Sequence, residues 1–200
     1  MYLSIIFSLF TVVLCEASLA RRDDAPFLGP LAPLRVSALR IAPQTASCSA
    51  SPSDITLTVT NPNRITAGHA PHAEGGGYWS FEESTASCSA RWQSGNASYS
   101  CEEVSSPASS GKWTFEMVPC NNTGTRAAGP LDHFDIRFML DYNITRWGSV
   151  YYKILEGTGH FVLGEQLVEV NGSAGCSFVL ANGSAPVLVP PTITACRGTC

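Results

Sequence analysis

Charge is scarce in this chain of 200 residues. Only 14% are Asp, Glu, Lys or Arg, and Lys112 and Lys153 are the sole lysines. The net charge is mildly acidic, at −4, and there is no basic block. Nucleic acid and anionic membrane both select clustered cations, so neither is an expected partner. Helical periodicity is missing as well: no apolar period of about 3.6 residues persists over ten positions, and no amphipathic helix is expected. Beyond the opening stretch, no apolar run approaches the roughly 20 residues a membrane span takes. No internal repeat is visible. There is no G-x-S-x-G elbow, no P-loop or dinucleotide fingerprint, and no C-x-x-C pair. These absences remove the hydrolase, nucleotide-binding, zinc-ribbon and thioredoxin-type readings that such motifs would carry.

What is present begins with Leu3 to Leu14, an apolar run broken by Ser4, Ser8 and Thr11 and followed by Ser18-Leu19-Ala20. Small residues at those positions predict a secretory signal over residues 1–20, cleaved after Ala20, although a basic first region is missing. The expected product is secreted and extracellular. Residues 21–47 read as a leader or linker. Arg21-Arg22 is a dibasic pair open to processing, and Pro26, Pro30, Pro33 and Pro43 interrupt regular structure. Val36, Leu39 and Ile41 are candidates to cover part of the body. Residues 48–200 then form a single β domain.

Short alternating segments dominate that domain. Cys88, Ala90 and Trp92 alternate with Ser89 and Arg91, and Tyr99 and Cys101 alternate with serines beyond Gly95. This predicts a hairpin, followed by a strand that buries Trp113, Phe115 and Met117. Ile55, Leu57 and Val59 alternate with threonines, the mark of a strand with one buried face. Tyr78–Phe81, Phe134–Asp141, Val150–Leu155, His160–Leu163, Gln166–Val170, Ser177–Leu180, Val187–Val189 and Thr192–Thr194 are further strands. Gly157-Thr158-Gly159 reads as a turn, and Asn171-Gly172 as the strongest two-residue hairpin signal. About ten short strands separated by turns predict an all-β, antiparallel barrel or sandwich braced by disulfides.

Cys15 departs with the signal, leaving Cys48, Cys88, Cys101, Cys120, Cys176, Cys196 and Cys200. In a secreted chain these are disulfide candidates rather than zinc ligands. The hairpin brings Cys88 to Cys101, and Cys176 is expected to pair with Cys196 or Cys200. An odd count leaves one thiol free or bonded to another chain. Five N-glycosylation sequons, at Asn96, Asn121, Asn143, Asn171 and Asn182, place sugar on exposed turns and compensate for the scarcity of charge.

No catalytic constellation emerges. His69, His72 and Glu74 are metal-like in type, but Pro71 and Gly75-Gly76-Gly77 place them in a loop without rigid support, and they read as solvated. A copper oxygenase would need histidine as its first mature residue, which neither cleavage point supplies. Glu82-Glu83 and Glu102-Glu103 are adjacent on extended chain, so each pair splits between faces. His133 and His160 lack a nucleophile partner. No metal, cofactor or enzymatic activity is expected. Aromatic residues are the remaining signal: Tyr151 and Tyr152 cannot both face inward, and with Trp79 they form a candidate ligand or partner surface.

Thr45-Ala-Ser-Cys48 ahead of the first strand, Ser87-Cys88-Ser-Ala90, Tyr99-Ser-Cys101, Trp113-Thr-Phe115 and the late cysteines together resemble the Alternaria major allergen family. The resemblance covers most of residues 45–200. It implies a non-enzymatic fungal β-barrel, an effector or allergen-like protein that contacts a host protein or binds a small phenolic ligand. It also implies that Cys88–Cys101 is the hairpin disulfide and that Cys48 bridges two subunits of a homodimer. Cys120 and the longer spacing near the end depart from the family pattern. A structural cell-wall or matrix glycoprotein is the alternative, and a diverged carbohydrate-active enzyme the third.

Overall fold

Alternation in the sequence becomes alternation of burial in the structure. A computed structural model describes residues 29–43, 53–92, 98–104, 111–119, 133–172 and 175–200. The expected signal, Arg21-Arg22, Cys48, Cys120, Asn96 and Asn121 lie outside these residues. Thirteen strands are described: β1 Leu34–Pro43, β2 Ser53–Asn61, β3 Ile65–His69, β4 Tyr78–Phe81, β5 Ser84–Trp92, β6 Ser98–Glu103, β7 Lys112–Pro119, β8 His133–Arg146, β9 Ser149–Val162, β10 Leu167–Gly172, β11 Gly175–Leu180, β12 Val187–Val189 and β13 Thr192–Arg197. The fold is all-β and antiparallel, and the one helical turn among the described residues is a 3-10 turn at His72–Glu74.

One curled sheet runs β10-β11-β1-β2-β5-β6-β7-β8-β9-β13, and β3 pairs with β4 in a separate two-stranded sheet. The long edge of β1 is shared: β11 pairs with its Arg40 and Ile41, while β12 pairs with Leu34 to Val36. After Pro190 and Pro191 the chain continues as β13, which pairs with β9 at the far end of the sheet. Residues 187–197 therefore cross the seam between the two ends of the curl, antiparallel to β1 on one side and to β9 on the other. Two prolines suit the crossing, because neither has an amide hydrogen to leave unpaired.

The concave side is filled by Ile55, Leu57, Val59, Phe81, Trp92, Trp113, Phe115, Phe134, Phe138, Tyr142 and Phe161, all nearly inaccessible to solvent. Tyr142 anchors a polar network in this core. Its hydroxyl donates to Glu82 O at 2.9 Å and accepts from Asn61 Nδ2 at 2.8 Å, while its ring stacks on Phe81 at 4.8 Å. Trp113 Nε1 donates to Ser84 Oγ at 3.1 Å beside it. The network ties the end of β2 and the β4–β5 corner to β7 and β8.

The hairpin disulfide is present. Cys88 and Cys101 face each other across β5 and β6, with Cα atoms 4.2 Å apart. Several other expectations need correction. The stretch read as leader or linker holds β1, whose Leu34, Val36, Leu39 and Ile41 are buried, so the domain begins before residue 48. Proline is tolerated because Pro43 ends the strand and Pro30 and Pro33 precede it. Gly157-Thr158-Gly159 is not a turn but the middle of one long strand, β9. A Cβ at Gly157 or Gly159 would lie 2.9 Å from a Val189 methyl, so these glycines make room for the seam segment. The β10–β11 hairpin exists, yet Asn171 and Gly172 still belong to its ladder, opposite Cys176 and Gly175, and residues 173–174 between them lie outside the described residues. Cys196 bonds to Cys200, not to Cys176. Cys176 is also in a disulfide.

Candidate aromatic surface

At one end of the curl the β3–β4 hairpin folds beside β9. Gly75, Gly76 and Gly77 carry φ values of 91°, 66° and 81°, a left-handed run that costs glycine nothing and a side chain about 1–2 kcal/mol per residue. It closes the hairpin, with Ala70 N donating to Gly77 O at 2.9 Å and Gly75 N to His72 O at 2.9 Å. His69 and His72 are both exposed, with ring centroids 6.0 Å apart, and His69 lies edge-on to Tyr78 at 5.4 Å. Among the described residues, no three His, Cys, Asp or Glu side chains converge as metal ligands.

Tyr151 lies on the bare Cα of Gly68, where any Cβ would overlap its ring, and its hydroxyl donates to His69 O at 3.3 Å. The register places Trp79 opposite Gly68, so Trp79 and Tyr151 meet at one place. Arg146 sits over the Trp79 ring, its guanidinium carbon 4.9 Å from the centroid, and Trp147 meets the same ring edge-on at 5.8 Å. A cation over an indole face and an edge-to-face indole pair are each attractive arrangements. Trp79 is half-buried, and its Nε1 is enclosed without a hydrogen-bond partner.

The turn that delivers Trp147 is unusual in its residues. Arg146 pairs with Ser149, leaving Trp147 and Gly148 as a two-residue hairpin loop with φ values of 49° and 74°. Both positions of such a loop favour glycine, asparagine or aspartate. Trp147 is the one non-glycine residue with positive φ among the described residues. A bulky residue held there carries strain of roughly 1–2 kcal/mol.

Of the three aromatic residues singled out in the sequence, two come together and one does not. Tyr152 stands on the opposite face of β9, in register with Asn143 on one side and Arg197 on the other. Asn143, Asn171 and Asn182 are all exposed, as glycan acceptors must be. Trp147 and Arg146 are the members that sequence reasoning missed. Trp147-Gly148 between two alternating segments was the available signal.

Below the patch, Lys153 points inward. It is 3% exposed, its Nζ donates to Thr199 O, and Cys196 Sγ lies 3.5 Å away. Burial pushes its pKa below the ordinary lysine value. The carboxylates have other roles: Glu82 pairs with Arg64 at 3.1 Å, and Asp135 with His160 at 2.7 Å. A separate open groove lies on the outer face, lined by Ser37, Arg40, Thr56, Thr58, Ser87 and Asn182. Aliphatic side chains such as Leu39, Leu57 and Val179 complete its lining, and no aromatic ring does. Comparison of the chain with protein-family models, curated proteins and solved structures gives no match.

Proposed function

We propose that this chain is an extracellular, glycosylated β-protein that acts by binding, without enzymatic chemistry, through Trp79, Trp147, Arg146 and Tyr151. The supporting observation is Trp147, an indole held in left-handed backbone at a turn where asparagine would fit with less strain. Strain of that kind persists where the side chain has work to do. A planar ligand suits the surface, because it can stack on indole. Phenolic rings meet that description, in line with the resemblance to secreted fungal effector and allergen-like proteins. Disulfide bonding supports an oxidising, extracellular setting.

The test is a titration of tryptophan emission with a flavonoid-type phenolic and, separately, a chitin oligosaccharide. Saturable quenching by the phenolic, weakened at least tenfold in Trp147→Ala, is the expected result. No saturable response, or an unchanged one in Trp147→Ala, defeats the reading. The three exposed sequons favour a second reading, a wall or matrix glycoprotein, for which retention in an insoluble wall fraction without ligand binding is the expected outcome.

A further inference from the structure

The same end of the molecule holds a second arrangement that the aromatic surface does not use. Cys196 and Cys200, four residues apart, close a small loop after β13. Gly198, at φ 123°, lets this loop press against β3, where a Cβ would overlap Ala67 O, and Thr199 N donates to that same oxygen at 3.1 Å. Cys200 is exposed and Cys196 half-buried. Lys153 reaches the loop from the interior, donating to Thr199 O and lying 3.5 Å from Cys196 Sγ.

That lysine is a buried cation. Among the described residues no carboxylate lies within ion-pair distance of it. On β8 its cross-strand neighbour is Tyr142, whose hydroxyl is engaged with Glu82 and Asn61. On β13 it faces Cys196, whose neighbour Arg197 is exposed, and Tyr151 shares its side of β9. A buried charge gains most when its counter-charge is supplied locally. Cys196 Sγ, 3.5 Å from the Lys153 Nζ, can become one when the disulfide opens.

We propose that Cys196–Cys200 is a thiol–disulfide exchange site opened by a low-molecular-weight thiol of the glutathione type, with Lys153 receiving the departing Cys196 thiolate. The external thiolate attacks the exposed Cys200 sulfur. The new bond joins it to Cys200, the Cys196–Cys200 bond breaks, and its electron pair leaves on Cys196 beside the ammonium. A second external thiolate then attacks the mixed disulfide, freeing Cys200 as a thiolate and releasing the oxidised dimer of the reagent. Two thiols are oxidised for each protein disulfide reduced. Lys153 favours this direction because its charge gains a thiolate beside it in the step, and a stabilised leaving thiolate departs faster. At Cys88–Cys101, attack on the half-buried Cys101 would expel the Cys88 thiolate into the apolar core, where a thiolate is disfavoured.

The experiment equilibrates the full chain in glutathione buffers of graded ratio, traps thiols by alkylation and maps them by peptide mass spectrometry. Cys196–Cys200 is expected to open while Cys88–Cys101 stays intact, with a transient glutathione adduct on Cys200. Lys153→Met is expected to shift the half-reduction ratio about tenfold toward the disulfide, close to 30 mV, and Lys153→Arg to keep most of the wild-type ratio. If Lys153→Met does not fold, the pH dependence of Cys196 alkylation in the reduced wild type decides. A midpoint below the free-thiol value of about 8.5 supports the proposal, and one at or above it overturns it. An adduct on Cys196, prior opening of Cys88–Cys101, or no shift in folded Lys153→Met also overturns it.

Discussion

Replacing Trp147 by asparagine separates a structural role for the indole from a binding role. The backbone at this position has φ 49°, so the change relieves strain of about 1 kcal/mol. Against that stands the edge-to-face contact with Trp79 at 5.8 Å, a geometry worth roughly 0.5–1.5 kcal/mol. The two terms nearly cancel, and the expected net change in unfolding free energy is within about 1 kcal/mol of zero. Ligand binding, which has no such compensation, should fall at least tenfold. Urea unfolding with the disulfides intact gives the first quantity, read from the midpoint at constant slope, and emission titration gives the second. A loss of stability above about 2 kcal/mol would make Trp147 a staple for the β8–β9 turn. Strain at Trp147 would then serve the turn and not a ligand.

Other perturbations test the framework that positions the patch. Tyr142→Phe keeps the ring on Phe81 but removes the hydroxyl that serves Glu82 O and Asn61 Nδ2, and should cost about 2–3 kcal/mol in urea unfolding; a loss under about 0.5 kcal/mol would show that the network contributes little. Gly157→Ala places a methyl 2.9 Å from Val189 Cγ1 and should destabilise by roughly 1–3 kcal/mol, with faster amide exchange in β12 as the local sign that the seam has loosened. Unchanged exchange there would show that the seam absorbs the methyl. Lys153 gives a pH signature. Its folded pKa is depressed, so between that value and the ordinary lysine value the unfolded chain binds more protons, and wild-type stability rises with pH across the window. Lys153→Met should lack this rise; the same slope in both proteins would assign it elsewhere.

Period-two alternation made much of the fold legible. It located β2, the disulfide hairpin and the inward side of β7, because each buries one face and wets the other. It failed where spacing was set by distant packing. Gly157 and Gly159 look like turn residues locally, yet they are smooth strand positions emptied for Val189, which arrives some thirty residues later in the chain. Leu34 to Ile41 carried a readable alternation, but the flanking prolines outweighed it until β2, β11 and β12 supplied partners on both edges. The Cys196–Cys200 pairing turned on a loop held against β3, a contact no cysteine spacing announces. At the candidate surface, Trp79 and Tyr151 could be named but not joined, since their meeting depends on Gly68. Lys153 was readable in principle: in Tyr151-Tyr152-Lys153-Ile154-Leu155 it shares the face of a core leucine.

The indole Nε1–H of Trp79 reports most directly on the claim that this end of the molecule is where the protein binds. It is enclosed and without a partner. In a proton–nitrogen correlation spectrum with nitrogen-labelled protein, adding the phenolic should shift the Trp79 indole signal saturably, with Trp147 following. Trp92 and Trp113, sealed in the core, should hold still. Shifts confined to residues of the outer groove, or a Trp79 signal unmoved at saturating ligand, would contradict the account.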